Sequence, residues 1–272
     1  MPTPGNDIRF DNAVAALYQS LLVPLIFEPY AVDLAVRLAR LPAASVLELA
    51  AGTGVVTREL AARLAPGARL VATDLNESML AVAQAQGTAR AVTWRQADAM
   101  ALPFDDASFD AVACQFGAMF FPDKARAFAE ARRVLRPGGT FLFNVWDRVE
   151  TNDFAWVVSD AVAERYPDDP PRFLERLPHG YCSAAAIAHD LASAGFATQP
   201  VIETVTASSR AQTPYLAALA YCQGTPLRGE IEARDPAGLE AATLAAAEAL
   251  ATRFGAGPVA GRIQALIVGV TR

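Results

Sequence analysis

Short apolar runs alternate with apolar residues at helical spacing through the middle of the chain. Residues 46–49 form a compact apolar run that is typical of a buried strand, and Val56, Leu60 and Leu64 then recur on one face of a helix. The alternation of strand and helix continues as far as Trp146. This pattern predicts an α/β fold with a doubly wound parallel sheet and helices on both of its faces.

The N-terminal residues carry a helical pattern of their own. Residues 1–42 predict two helices, the first interrupted at Pro24 and the second ended at Pro42, and they form a predicted N-terminal helical cap. Further along the chain, residues 124–135 predict a helix that begins after Asp123 as its N-cap and closes in a turn at Pro137 and Gly138, and residues 140–146 predict the fifth strand.

The C-terminal half predicts further elements, two of which begin at a capping residue followed by proline. They are a helix over 183–194, a strand near 196–206, helices around 214–222 and 236–254, and a closing strand over 263–268. The sequence Pro167–Pro171 between them predicts a loop.

A glycine turn lies between the first predicted strand and its helix. Gly52 and Gly54 let the backbone approach a ligand closely, and the turn points the helix N-terminus at that ligand. Asp74 ends the next predicted strand, about twenty residues later, where an acid accepts hydrogen bonds from ribose hydroxyls. The pattern predicts a nucleotide-like ligand.

The charges around this turn distinguish between nucleotides. Thr57 takes the place of the third glycine of the dinucleotide fingerprint, and Glu48 precedes the turn. A carboxylate there repels a pyrophosphate, whereas it suits a cation. S-adenosylmethionine carries a sulfonium, an ammonium group and a ribose, and it has no phosphate. The residues therefore favour S-adenosylmethionine over NAD.

Five stretches in chain order resemble the motifs of class I S-adenosylmethionine-dependent methyltransferases, in the style of the type 11 subgroup. They are residues 48–54, 71–79, 96–104, 109–116 and 132–139. Together they cover residues 46–146. In one departure, Ala50 stands where the first motif has a glycine, and we expect its methyl group to narrow the turn with binding retained.

The resemblance implies a single methyltransferase domain that uses S-adenosylmethionine and releases S-adenosylhomocysteine. It implies a Rossmann-like seven-stranded sheet with a terminal antiparallel hairpin, in which residues 43–147 are the cofactor-binding core. Residues 207–260 would be a helical insertion in that hairpin, forming a substrate lid together with the N-terminal cap. The alternative, that these helices only pad the sheet, stays open.

The candidate cofactor contacts lie where predicted strands end, with one aromatic residue from the cap. They are Glu48, Ala50, Ala51, Gly52, Thr53 and Gly54 in the first turn, Asp74, Leu75 and Met79 after the second strand, Asp98, Ala99 and Met100 in the adenine loop, Gln115 and Phe116 at the fourth strand, and Tyr18. We expect Asp74 to bind ribose, leaving Asn76 to cap the next helix. Asp98 is expected to accept a hydrogen bond from the adenine amino group. Met79 and Phe116 are equally well explained as core residues.

Catalytic residues are left unassigned, because methyl transfer from a sulfonium is an in-line displacement that depends on alignment and exclusion of water. His179, on a predicted loop, is one candidate general base, and Asn144 and Asp147 are others. His189 is expected to be packed or solvent-facing. The His, Cys and carboxylate residues show no ligand spacing, so the sequence predicts no metal.

Composition limits the function classes. The chain has 272 residues, 53% of them hydrophobic, enough for a large core. A net charge of −6 argues against a nucleic-acid or anionic-membrane surface. Three dispersed cysteines, with no signal peptide and no long apolar span, predict a cytoplasmic protein.

The resulting prediction is a monomeric or homodimeric methyltransferase that acts on a small, largely apolar or neutral acceptor. A non-catalytic S-adenosylmethionine binder stays open as an alternative, and so, with less support, does an NAD(P)-dependent oxidoreductase.

Overall fold

The computed structural model describes residues 12–272, which divide into two compact units. The helical unit comprises residues 12–27, Asp147–Gly180 and Thr206–Gln264. The sheet unit comprises Glu28–Trp146, Tyr181–Val205 and Ala265–Arg272. Within residues 12–272, no helix is both long and apolar enough to cross a membrane.

Seven strands form one sheet in the order β3-β2-β1-β4-β5-β7-β6. They are β1 (Ser45–Leu49), β2 (Arg69–Asp74), β3 (Thr93–Gln96), β4 (Phe109–Gln115), β5 (Leu135–Trp146), β6 (Val201–Ala211) and β7 (Val259–Thr271). The first five strands pair in parallel, and β7 runs antiparallel to β5. The predicted seven-stranded sheet is confirmed, and its last strand lies between the fifth and the sixth.

The α-helices alternate with these strands through the sheet unit and continue in the helical unit. They are α1 (Asn12–Leu17), α2 (Glu28–Ala39), α3 (Val55–Arg63), α4 (Glu77–Gln86), α5 (Lys124–Val134), α6 (Asp153–Arg165), α7 (Phe173–Arg176), α8 (Ala184–Ser193), α9 (Pro214–Gln223), α10 (Leu227–Arg234) and α11 (Leu239–Phe254). Capping residues set several starts as expected. Asp123 accepts a hydrogen bond from the Arg126 N–H at 2.9 Å, and Thr213 accepts one from the Leu216 N–H at 3.2 Å.

The predicted interruption at Pro24 is wrong, because the chain is helical from Asn12 to Ala39. Tyr18–Phe27, here called the wide helix, is a π-helix that contains Pro24. Proline lacks an amide hydrogen and clashes with the carbonyl four residues earlier in an α-helix. The wider π turn moves that carbonyl away, so the chain passes the proline without a break.

Two strand starts differ from the prediction. The sixth strand begins at Val201 instead of near residue 196, because Pro200 just before it has no amide hydrogen to donate to a ladder. The fifth begins at Leu135, and Pro137 and Gly138 lie in an irregular stretch of it where the register with β4 shifts. The predicted helix-closing turn is therefore part of a strand.

The segment between β6 and β7 spans 212–258 rather than the expected 207–260. It holds three helices, of which α10 was not predicted. The third begins at Leu239 instead of 236, because Asp235 first forms a turn in which its carbonyl accepts the Gly238 N–H at 2.9 Å. This segment belongs to the helical unit, whereas the predicted cofactor turns belong to the sheet unit. Its role as a substrate lid stays a prediction.

Aromatic packing holds β5 against α5. The Phe128 ring of α5 lies 5.2 Å from that of Phe143 and 5.6 Å from that of Phe141. All three side chains are fully buried. This packing contributes to a rigid platform from which the carboxyl ends of β4 and β5 present their last residues.

Candidate functional site

The turn after β1 has the conformation that its glycines predict. The φ angles of Gly52 and Gly54 are +55° and +79°, and Gly54 is the N-cap of α3. Within the described chain, no side chain caps this end of the helix. The α3 N-terminus therefore keeps backbone amides and a positive dipole end for a ligand.

Asp74 connects this turn with the one that follows β2. One carboxylate oxygen accepts the Gly52 N–H at 2.8 Å, and the other accepts the Asn76 N–H at 2.8 Å. Desolvation by burial raises its pKa above the usual value. Asn76 occupies the N-cap position of α4, but its side chain makes no capping hydrogen bond, so that expectation is wrong. The Asp74 carboxylate itself fixes this turn, and its remaining lone pairs are available to ribose hydroxyls.

Glu48 is a buried acid beneath the same turn. Its side chain is 1% exposed and accepts a hydrogen bond from the Thr57 hydroxyl at 2.6 Å. Desolvation, with a smaller contribution from the charge of Asp74, raises the pKa of Glu48 to about 8. A further anion here meets the same repulsion, whereas a cation relieves it. Thr57, noted only as a missing glycine, is thus a partner of the acid.

Thr53 carries a buried polar atom that lacks a partner. Its side chain is 1% exposed, and its hydroxyl oxygen makes no hydrogen bond within the described chain. Its carbonyl accepts a hydrogen bond from the Arg58 guanidinium at 2.7 Å. Such orphaned groups are rare in folded proteins, and a ligand with a polar group satisfies one.

The departure at Ala50 is matched by a glycine on the next strand end. Ala50 has a φ of +50°, and a Cβ placed on Gly117 would lie 2.5 Å from the Ala50 Cβ. The same Cβ would lie 2.8 Å from the Cys114 Sγ. Gly117 leaves the space that the Ala50 methyl group needs. Gly117 was not among the predicted site residues, although a glycine just after a predicted strand was a visible signal.

The end of β4 presents Phe116 in a strained conformation. Its φ is +49°, and its N–H donates to the Asn144 side-chain oxygen at 2.9 Å. The Phe116 ring stacks on Trp146 with centroids 3.8 Å apart, and Tyr30 meets both rings edge-on. Asn144 is fully buried and acts on the backbone, which argues against its candidate role as a base. Strain of this kind is often found at functional sites.

The residues assigned to the adenine side lie around the ends of β2 and β3. Leu75 is 46% exposed, an unusual fraction for a leucine, while Met79 is buried at 3%. One Asp98 oxygen accepts the Met100 N–H at 2.8 Å, so the second oxygen is the one left for an amino group. Ala99 and Met100 are half-buried beside it. These adenine contacts stay a prediction.

Tyr18 and His179 belong to the helical unit, whereas the turns above belong to the sheet unit. Tyr18 is half-buried and stacks on Phe27 at 5.0 Å. His179 is 7% exposed, and its Nδ1 lies 2.7 Å from the Asp147 carbonyl oxygen. Burial lowers the His179 pKa to about 4, so the imidazole is neutral at pH 7. Both assignments stay predictions. His189 is exposed on α8, as expected.

Part of the chain is similar to known methyltransferases. Residues 47–143 match the family model of a methyltransferase domain. The ubiquinone/menaquinone biosynthesis C-methyltransferase of Hahella chejuensis is 44% identical over 103 residues, 36% of this chain and 41% of the relative. The demethylmenaquinone methyltransferase of Thermus thermophilus is 46% identical over 111 residues, 40% of this chain and 49% of the relative. The chain thus matches less than half the length of these curated relatives.

Two solved structures share the fold over nearly the whole chain. Phosphoethanolamine N-methyltransferase 2 of Haemonchus contortus, in complex with phosphomonomethylethanolamine and S-adenosylhomocysteine, has a TM-score of 0.60 at 16% identity, covering 100% of this chain and 61% of that one. The [4+2]-cyclase SpnF has a TM-score of 0.60 at 16% identity, covering 99% and 97%. At 16% identity, this similarity shows a shared fold and does not extend to function.

Proposed function

We propose that the protein transfers a methyl group from S-adenosylmethionine to a small organic acceptor, since residues 47–143 match the family model of a methyltransferase domain. One observation carries the proposal. Two buried acids, Glu48 and Asp74, share one glycine turn at the carboxyl ends of neighbouring parallel strands. This arrangement disfavours a pyrophosphate and favours a ribose that comes with a cation.

The residues of the turn fit this cofactor. Asp74 binds the ribose hydroxyls, while its bonds to two backbone amides keep the carboxylate oriented. Burial raises the pKa of Glu48 to about 8, and a bound cation lowers that pKa again, so Glu48 would ionise as the methionine portion binds and would then balance its positive charge. The unpaired Thr53 hydroxyl gains a partner among the polar groups of that portion.

The remaining candidate residues complete the binding set. Leu75 and Met79 flank the adenosine, and Asp98 accepts a hydrogen bond from the adenine amino group. Gln115 and Phe116 stand at the end of β4 next to the reacting centre.

S-adenosylmethionine supplies an activated methyl group, and the chain positions it and keeps water away. The Phe116 ring, stacked on Trp146, gives the edge of the sheet a dry aromatic surface. Acceleration then comes from alignment and desolvation. His179, being neutral at pH 7, contributes no titration between pH 6 and 8.

The acceptor does not follow from the relatives. Two curated relatives have names that refer to ubiquinone, menaquinone or demethylmenaquinone, but the matched stretches cover only 36% and 40% of this chain. We propose that the helical unit selects the acceptor, since it lies outside the matched domain. A cytoplasmic location and a monomeric or homodimeric state stay predictions.

Calorimetry with S-adenosylhomocysteine and with NAD tests the cofactor. We expect micromolar binding of the first and no saturable binding of the second. A screen with methyl-labelled cofactor over small metabolites then tests transfer. Tight binding of NAD would contradict the cofactor assignment.

A non-catalytic binder of S-adenosylmethionine is the second candidate. A neighbour of the same fold is named a cyclase, so this fold does not by itself imply methyl transfer. Binding of S-adenosylhomocysteine without transfer to any acceptor in a broad screen would favour that candidate.

A further inference from the structure

The helical unit contains an open cavity of about 600 Å³. Four elements line it: the wide helix, the end of β6, the start of α9 and the start of β7. Ligand cavities commonly lie between about 300 and 1,000 Å³. The cavity is therefore large enough for a small organic molecule.

The depth of the cavity and its rim differ in polarity. Leu25 and Val259 are buried, whereas Arg210, Gln212 and Pro258 are exposed. A molecule seated there meets aliphatic carbon inside and a guanidinium and an amide at the entrance. This gradient defines an orientation, with an apolar body inward and a polar group outward.

Arg210 gives the cavity a positive charge that no lining residue cancels. None of the lining residues is acidic, and the ion pairs among residues 12–272 do not include Arg210. The chain as a whole carries −6, so a local surplus of positive charge is not the general state of its surface. Arg210 and Gln212 offer N–H donors that a carboxylate accepts.

The wide helix is a second, independent feature of this wall. Leu21, Pro24 and Leu25 belong to the ten-residue π-helix, and all three line the cavity. π turns are rare and occur frequently at functional sites, because they shift side chains out of the ordinary helical order.

We propose that this cavity binds an amphiphile made of an apolar body and a single anionic group, with the anion at Arg210. The proposal goes beyond the proposed methyl transfer and does not rest on it.

Matched ligands of one chain length test the charge preference. Decanoate, decanol and decylammonium are titrated below their micellar concentrations, with no cofactor present. We expect decanoate to bind roughly tenfold tighter than decanol, as one charge-assisted hydrogen bond provides. Decylammonium should bind more weakly than decanol. Equal affinity for all three, or no saturable binding, would overturn the proposal.

Two variants locate the binding. Arg210→Gln should remove the advantage of decanoate and leave decanol unchanged, while Arg40→Gln makes the same charge change at an exposed arginine outside the cavity and should change neither. Ala260→Phe, at an exposed lining position, should weaken decanoate and decanol alike by filling space. An equal effect of Arg40→Gln and Arg210→Gln would overturn the proposal, and so would full binding in Ala260→Phe.

A second copy of the chain is the competing occupant of an apolar surface. Sedimentation of the wild type and of Ala260→Phe distinguishes it. An oligomer that dissociates in the variant would show that the cavity is an interface and would overturn ligand binding there. A sedimentation coefficient that does not change between them supports the proposal.

Discussion

The ligand-binding surfaces that we propose in the sheet unit and in the helical unit are of different kinds. In the sheet unit, the turns use backbone groups and short side chains, and Ala50, Gly52, Gly54 and Phe116 all have positive φ. In the helical unit, no cavity-lining residue has a positive φ, and the surface consists of side chains from four elements. Recognition by backbone needs particular residue types at fixed spacing, whereas recognition by packed side chains needs only a shape. The first kind leaves a motif in the sequence, and the second does not.

Gly52→Val is the most severe test of this difference. We expect S-adenosylhomocysteine to lose about 3 kcal/mol of binding free energy or more, roughly a hundredfold, because a branched side chain occupies the ligand space. Calorimetry measures the loss, and circular dichroism checks the fold. Gly67→Val is the matched control, since Gly67 has a φ of +83° and a Cβ added to it would meet no heavy atom within 4 Å. If the control loses binding equally, or Gly52→Val fails to fold, then Gly52 is a structural turn residue.

Variants of Asp74 distinguish a role in ligand binding from a role in holding the backbone of the two turns. Asp74→Ala should weaken S-adenosylhomocysteine by about 1–3 kcal/mol and also destabilise the fold, since two amide donors lose their acceptor. Asp74→Asn keeps one acceptor and should lose less stability. Asp123→Ala removes a helix cap elsewhere and should cost stability without affinity. Unchanged affinity in Asp74→Ala would contradict the ribose assignment.

Glu48→Gln tests the buried charge through pH. The pKa of Glu48 is raised from 4.5 to about 8 in the folded protein, so its favourable contribution is complete below pH 4.5 and is lost as pH rises to 8. The glutamine does not titrate, so the variant keeps its stability as pH rises. We expect its free energy of unfolding to increase relative to that of the wild type by about 2–4 kcal/mol between pH 4.5 and pH 9.

Urea unfolding across this pH range measures that gain. Glu77→Gln, at an exposed position, gives the baseline. A pH-independent difference between wild type and Glu48→Gln would show that the acid is not desolvated.

The Ala50–Gly117 contact is tested by a double-mutant cycle. Gly117→Ala should cost about 1–3 kcal/mol of unfolding free energy, because its Cβ would lie 2.5 Å from the Ala50 Cβ. Ala50→Gly alone should change stability by less than about 1 kcal/mol, since relief of positive φ offsets added chain entropy. The double variant should recover only part of the loss, because Cys114 still obstructs the new methyl. Additive effects would mean that the two residues do not interact.

Helix caps give the smallest expected effect and compare the two units directly. Thr213→Ala should cost about 1 kcal/mol, since its hydroxyl accepts an α9 amide. Asn76→Ala should cost less than half of that, because its side chain makes no cap and Asp74 holds the turn. Chemical denaturation measures both. Equal losses would indicate that Asn76 does cap α4 in solution.

Much of the sheet unit was predictable, and the reason is local. The order of strands and helices follows from hydrophobic period, and Gly52, Gly54 and Asp74 stand where their chemistry requires those types. The residues that were not predicted are contact partners of the motif residues. Thr57 under Glu48 and Gly117 opposite Ala50 act through contacts between separate segments, which spacing alone does not reveal.

Local patterns in the chain were enough to predict the α/β sheet, the glycine turn and the acids beside it, because strand period and backbone geometry are properties of neighbouring residues. Three other features emerged only from the folded molecule: Pro24 stays inside a helix, burial raises the Glu48 pKa, and Arg210 stands over an apolar cavity. Each of these depends on which distant segments pack together. Packing sets solvation and space, and neither is encoded in a local pattern.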